Sequence, residues 1–183
     1  LMTFNLPMLL SLAADMPDAS QLLGKPLPAR ALRKFLAEAS PEAADKVLWL
    51  IDTPQRLAEY DAISKDMERP LNIVLELDVG LHRGGFEPGA DLSDTLGRIH
   101  ASNRLTFKGY MGYEPHVAAM PTKLGMQDRA LKGAWSTYEK ALKAATDIFG
   151  AADVDRLTRN AAGSPTFRFY EDLSIANEVS VGS

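Results

Sequence analysis

Cysteine is absent from this 183-residue chain, which excludes disulfides, thiolate zinc sites and thiol nucleophiles. Runs of basic residues are absent too, and 20 Lys and Arg against 24 Asp and Glu give a formal charge of −4. This balance argues against nucleic acid or an anionic membrane surface as a partner. The longest apolar runs, such as residues 47–51, are far too short to cross a bilayer, and the N-terminus lacks the basic residues of a secretory signal. We therefore expect a cytoplasmic protein.

The composition is that of an ordinary globular domain, with 46% apolar and 24% charged residues. Seven segments have the pattern of buried strands: 1–5, 21–24, 47–51, 71–78, 105–113, 156–160 and 177–181. Each but the last is followed by a helical pattern or a short loop, which predicts an α/β fold with a parallel sheet. The clearest helix is predicted at 127–149, where Leu131, Trp135, Tyr138 and Leu142 step by four and three.

Two architectures fit this alternation. A doubly wound sheet has about five or six strands, whereas a closed (β/α)8 TIM-type barrel has eight. Seven units on a chain that starts and stops within strand patterns favour the barrel. We expect 1–183 to be one partial barrel domain that lacks one strand and a tail.

Chemistry in such barrels gathers at the C-terminal ends of the strands. The first polar strand end is 76–85, where Glu76 and Asp78 precede glycines and Arg83. A guanidinium there can grip an anion or an aromatic oxygen, although the same charges could simply face water. His82 is interpreted as a loop residue rather than a metal ligand, because the sequence offers no second ligand at metal-site spacing.

The second polar strand end is 109–116, where Tyr113 precedes a loop holding His116. A hydroxyl and an imidazole there could serve as acid, base or phenolate partner. The alternative is that Tyr110 or Tyr113 fills the core and His116 is solvated.

The third is 160–166, which contains Asn160, Gly163, Ser164 and Thr166. A turn of small residues after the penultimate strand exposes N–H and hydroxyl groups that can hold a phosphate. An ordinary Gly-Ser-Pro turn is the alternative. Lys25, after the second strand, could form an imine, but a structural role is favoured.

Together, these segments resemble the alanine-racemase-like barrel of pyridoxal 5'-phosphate enzymes, and most closely its D-threonine aldolase and D-serine dehydratase branch. The resemblance rests on the Asp-x-Gly-x-x-Arg-x-Gly pattern at 78–85, on 109–116, on 163–166 and on 177–183, which is similar to the family's last barrel strand. It spans approximately the second to the eighth strand of the family's barrel.

The resemblance implies roles for individual residues. Gly163, Ser164 and Thr166, with the backbone of Gly182 and Ser183, would bind the cofactor phosphate. Arg83 would approach the phenolic oxygen of the ring, Tyr113 and the candidate catalytic His116 would line the ring or substrate side, and Asn160 is counted among the cofactor contacts.

The chain also departs from the family. The family's Schiff-base lysine lies on the first barrel strand, which we expect upstream of Leu1, and the metal ligands of the aldolase branch are expected downstream of Ser183. We therefore predict no metal ligands within the chain and no activity for the chain by itself.

The activity implied for the whole protein is that of a lyase acting on D-amino acids with a β-hydroxyl group, by retro-aldol cleavage or β-elimination. It would use pyridoxal phosphate and a divalent metal, and would be a homodimer. An amino-acid racemase of the same barrel, or a protein that binds pyridoxal phosphate without turnover, are the alternatives.

Overall fold

The computed structural model describes residues 1–171 and 174–181. All seven predicted strands are present and form one sheet in chain order. The neighbouring pairs among the first three strands and among the last three strands are parallel. The strands are β1 (Met2–Thr3), β2 (Gln21–Leu23), β3 (Val47–Ile51), β4 (Leu71–Leu77), β5 (Leu105–Gly112), β6 (Thr158–Ala161) and β7 (Glu178–Val179).

Helices separate most of these strands, as the alternating pattern predicts. They are α1 (Leu6–Asp15), α2 (Ala29–Glu38), α3 (Pro41–Asp45), α4 (Pro54–Asp66), α5 (Ala90–His100), α6 (Pro115–Ala119), α7 (Met126–Phe149) and α8 (Ala151–Val154). Among the described residues, no helix has both the length and the apolar character needed to cross a membrane.

The chain folds into two compact units. The first comprises Leu1–Val74 and Arg98–Lys108, and the second comprises Leu75–Gly97 and the chain from Gly109 onward. All three polar strand ends that the sequence singles out belong to the second unit.

The core of the first unit centres on Trp49 in β3. Its ring meets Phe35 and Tyr60 edge-on, at centroid distances of 5.5 and 5.8 Å, and such edge contacts suit the aromatic quadrupoles. The buried Tyr60 hydroxyl donates to the carbonyl of Leu27 at 2.8 Å. Helix α4 begins where Thr53 accepts from the Arg56 N–H and Pro54 takes the first helical position.

The core of the second unit is built on α7. Its buried face consists of Ala134, Tyr138, Ala141 and Ala145, so the helix is confirmed but the predicted face is shifted. Small side chains let the helix lie close to the sheet, and the buried Tyr110 hydroxyl of β5 donates to the carbonyl of Ala141 at 2.8 Å.

The structure corrects two local expectations. His116 lies in the short helix α6 rather than in a loop, because Pro115 starts a helical turn in which Val117 N–H donates to Glu114 O. The short helices α3 and α8 were not predicted, since four or five residues are too few to give a clear period.

Candidate functional site

The loop after β4 folds back onto the strand and brings Arg83 to Glu76. Phe86 N–H donates to Glu76 O at 2.7 Å, and Asp78 N–H donates to Phe86 O at 3.0 Å. The Glu76 side chain is only 4% exposed, and its Oε1 accepts from Arg83 Nε at 2.7 Å. A charge-assisted bond at that length fixes the plane of the guanidinium.

Arg83 also joins β4 to β5. Its guanidinium carbon lies 4.9 Å from the centre of the Tyr113 ring, a distance at which cation–π attraction operates. Arg83 and Tyr113, which the sequence predicts at the ring of a cofactor, therefore contact each other. Neither side chain serves only to fill the core.

A second hydrogen-bonded pair lies at the end of β4. Asp78 Oδ1 accepts from the N–H groups of Gly80 and His82 at 3.0 Å each, and Asp78 Oδ2 lies 2.7 Å from His82 Nδ1. Burial acts to raise the pKa of Asp78, but these hydrogen bonds outweigh it and hold that pKa below its ordinary value. The bond to Asp78 raises the pKa of His82.

One oxygen or nitrogen from each of Asp78, His82 and Glu87 lies within 4.8 Å of the others. Sequence spacing did not reveal this cluster, because the turn at Gly80 folds His82 back onto Asp78. The Asp78–His82 hydrogen bonds account for the proximity of those two residues.

His116 lines a cavity of about 550 Å³ together with Asp78, Gly80 and His82, and with residues of α7 such as Thr137 and Lys140. Of the described residues that line this cavity, none is Arg83, Tyr113 or Ser164. Burial lowers the pKa of His116, and the neighbouring His82 lowers it further. An imidazole held neutral near pH 7 can accept a proton.

Glu114 is a buried residue of this region to which the sequence analysis assigns no role. It is fully buried, and its Oε1 accepts from the Thr166 hydroxyl at 2.8 Å while its Oε2 accepts from Ala162 N–H at 3.3 Å. Burial raises the pKa of Glu114, although these hydrogen bonds oppose the change. The only signal in the sequence is an acidic residue directly after an apolar strand and before Pro115.

The turn after β6 is closed by its own hydrogen bonds. Gly163 N–H donates to Thr166 Oγ1 at 3.1 Å, and the N–H groups of Thr166 and Phe167 both donate to Gly163 O at 3.0 Å. Thr166 is buried, whereas Ser164 is exposed. A short 3-10 helix over Phe167–Phe169 follows. Of the predicted phosphate-binding residues in this turn, Ser164 is the one that faces solvent.

Asn160 joins β6 to β7 instead of facing this turn. Its Nδ2 donates to Glu178 Oε1 at 2.8 Å and to Ser180 Oγ at 2.9 Å. The buried Tyr138 hydroxyl donates to the Asn160 carbonyl, and burial raises the pKa of Tyr138 well above its ordinary value. The predicted contacts at Gly182 and Ser183 lie outside the described residues.

The ends of β4, β5 and β6 are thus connected through consecutive residues of one dipeptide. Tyr113 contacts Arg83 on one side, and Glu114 contacts Ala162 and Thr166 on the other. A guanidinium over an aromatic ring, beside a turn with an exposed hydroxyl, is a donor set that fits a planar anionic ring bearing a phosphate.

Residues 15–183 match the family described as alanine racemase, N-terminal domain. No curated protein matches the chain.

Solved structures with similar backbones include three enzymes. D-threonine aldolase from Filomicrobium marinum is 16% identical, with a TM-score of 0.76 over 100% of this chain and 47% of the aldolase chain. A mutant of D-threo-3-hydroxyaspartate dehydratase is 14% identical, with a TM-score of 0.80 over 100% and 45% of the two chains. Alanine racemase from Clostridium difficile 630 is 13% identical, with a TM-score of 0.77 over 99% and 43%.

The chain spans less than half the length of each of these enzymes. At such low identity the likeness shows the fold, and it confirms the predicted class, an incomplete α/β barrel of parallel strands. The family match extends from residue 15 to residue 183, so the predicted relationship is also confirmed. The chain belongs to the alanine racemase N-terminal domain family.

Proposed function

We propose that the protein containing this chain is a pyridoxal phosphate-dependent lyase that acts on D-amino acids bearing a β-hydroxyl group. The reaction is retro-aldol cleavage or β-elimination of water. The observation that supports the proposal is the connection of three strand ends: Tyr113 after β5 contacts Arg83 after β4, and the adjacent Glu114 binds the turn after β6.

In this proposal, Arg83 binds the phenolic oxygen of the cofactor ring and Tyr113 lies against the ring. Glu76 orients Arg83 through the 2.7 Å bond to Nε. The phosphate is bound by the exposed Ser164 of the turn that Gly163 and Thr166 close, together with the backbone of Gly182 and Ser183. Asn160 supports this region by holding β7 against β6.

His116 is the candidate proton acceptor, because burial keeps its imidazole neutral more readily than in water. Bound pyridoxal phosphate would supply an electron sink for negative charge at the substrate α-carbon. A divalent metal, held by ligands outside this chain, would polarise the β-hydroxyl. We further propose that 1–183 forms one partial cofactor-binding barrel domain of a cytoplasmic homodimer.

Two of the three similar structures support the substrate class, since their names specify D-threonine and D-threo-3-hydroxyaspartate. The full-length protein should therefore show the visible absorbance of bound pyridoxal phosphate, and borohydride should abolish it. D-threonine should yield glycine and an aldehyde, or a hydroxylated D-amino acid should yield a ketoacid and ammonia. Lack of a borohydride-sensitive band would refute the cofactor assignment.

A racemase is the second candidate, because an alanine racemase is also among the similar structures. Chiral chromatography after incubation with D-alanine or D-serine separates the two activities. A racemase yields the L-enantiomer with no carbonyl product, whereas the proposed lyase yields the carbonyl product.

A further inference from the structure

Glu114 is a fully buried carboxylate that contacts the turn after β6 at two points. One oxygen accepts from the Thr166 hydroxyl at 2.8 Å and the other from Ala162 N–H at 3.3 Å. These two partners flank Gly163 and Ser164 in the chain, so the carboxylate is hydrogen-bonded to the turn both before and after these residues. Burying a carboxylate costs free energy unless its oxygens are satisfied, and here both oxygens serve the turn.

The backbone of this turn is held in an unfavourable conformation. Ala162 has φ of 65°, in the left-handed region that residues with a Cβ rarely adopt. Such conformations persist only when neighbouring groups hold them, and they are often found at ligand clamps. The Ala162 N–H is one of the two groups that Glu114 binds, so the carboxylate acts directly on the strained residue.

The hydrogen bonds inside the turn depend on the same contact. Thr166 donates its hydroxyl proton to Glu114, and this leaves the Thr166 oxygen to accept from Gly163 N–H at 3.1 Å. The direction of the Thr166 hydroxyl therefore sets the orientation of the Gly163 peptide. Ser164, the next residue, is exposed at the apex.

We propose that Glu114 is a positioning residue that holds the 162–166 turn in the shape that binds the phosphate of the cofactor, an inference that rests on the proposed function. It acts through Thr166 and Ala162 and does not itself touch the cofactor. Because Tyr113 is the adjacent residue, the same dipeptide sets the distance between the ring-binding and phosphate-binding groups.

The test compares two ligands that differ only in the phosphate, pyridoxal 5'-phosphate and pyridoxal, on the full-length protein. The dissociation constants of both are measured for the wild type and for Glu114→Gln, whose amide can accept at one atom only. Glu139→Gln, on the exposed face of α7 in the same unit, is the matched control. Ser164→Ala reports on the phosphate site independently of Glu114.

Glu114→Gln should weaken binding of pyridoxal phosphate about tenfold or more, the effect of losing one hydrogen bond to a charged group. Its affinity for pyridoxal should stay within about twofold of the wild type, and Glu139→Gln should change neither constant. A merely structural role would weaken both ligands alike, and that result would overturn the inference.

The other outcomes also decide the matter. If Ser164→Ala loses the preference for the phosphorylated ligand while Glu114→Gln keeps it, the proposed function stands and the role of Glu114 is wrong. If the wild type itself shows no preference, both proposals fail together. Should Glu114→Gln not fold, Glu114→Asp must lose part of the preference, and full retention would overturn the inference.

Discussion

The guanidinium of Arg83 lies over the ring of Tyr113, with 4.9 Å between its central carbon and the ring centre. The same side chain donates through Nε to the buried Glu76 at 2.7 Å. One arginine thus donates to a buried carboxylate and also lies over an aromatic ring. Lysine offers neither a planar face nor a fixed fork.

We therefore expect Arg83→Lys to weaken binding of pyridoxal phosphate by about tenfold or more. Arg83→Met, which leaves Glu76 without its ion partner, should lower the free energy of unfolding by about 3 kcal/mol. Adding Glu76→Gln to Arg83→Met should restore part of this loss, because the buried charge is removed as well. Urea unfolding of the four proteins in this double-mutant cycle gives the coupling energy, and additive losses would contradict the pair.

The Asp78–His82 pair should be visible as a shifted histidine titration. The hydrogen bond and charge of Asp78 raise the pKa of His82 above the ordinary value of about 6.5. NMR of the imidazole should therefore give a higher midpoint in the wild type than in Asp78→Asn.

The raised pKa of His82 and the lowered pKa of Asp78 determine how the stability that this pair contributes depends on pH. His82 contributes stability that is complete below its unfolded pKa and is lost as pH rises through its raised folded pKa. Asp78 contributes stability that is present above its unfolded pKa and is lost as pH falls through its lowered folded value. The pair should therefore stabilise the protein most between these limits. A difference between wild type and Asp78→Asn that fails to shrink as pH leaves this range on either side would count against it.

Glu114 should change the pH dependence of stability in the direction opposite to Asp78. Burial raises its folded pKa, so the folded state keeps its proton longer than the unfolded state. The free energy of unfolding should then fall as pH rises from the unfolded pKa of about 4.3 towards the raised value. Tyr138 and Tyr170 lie near Glu114, but their pKa values are raised and they stay neutral in this range.

The measurement is the unfolding free energy of wild type and Glu114→Gln against pH. Glutamine cannot ionise, so the variant should lack this component of the slope whatever its absolute stability. Parallel curves would indicate that the carboxyl group titrates normally despite its burial.

The strand order could be predicted because each strand carries a local signal. Val47–Ile51 is a continuous apolar run and Leu71–Leu77 nearly so, as expected for strands buried on both faces. The buried face of α7 could not be predicted, because Ala134 and Ala141 give a weaker hydrophobic signal than Leu131 and Trp135. These alanines are buried because the helix lies close to the sheet, which the sequence pattern does not reveal.

The site shows the same division. Arg83, Tyr113 and the 163–166 turn are visible in the sequence because their residue types follow strand ends. The role proposed for Glu114 is not visible in the sequence, since it depends on contacts with Ala162 and Thr166, about fifty residues away. The proximity of His82 to Asp78 likewise depends on a turn in which His82 has φ of 55°.

Gly109 in β5 is required by the close approach of β6. It has φ of +138°, and a Cβ built there would lie 1.9 Å from the carbonyl oxygen of Thr158, well inside contact distance. Gly109→Ala must therefore push the two strands apart at the Gly109–Thr158 pair, and should lower the free energy of unfolding by about 3 kcal/mol or more.

Gly133 in α7 is the matched control, because a Cβ there would meet no atom within 4 Å. Gly133→Ala should raise the free energy of unfolding by about 0.5–1 kcal/mol, since alanine is the better helix former. Chemical denaturation of both variants decides the matter. A gain in stability for both variants would mean that neither the contact with Thr158 nor the positive φ requires glycine at position 109. If Gly109→Ala is as stable as the wild type, the close approach of β5 and β6 is wrong, and with it the basis for joining the turn after β6 to Glu114.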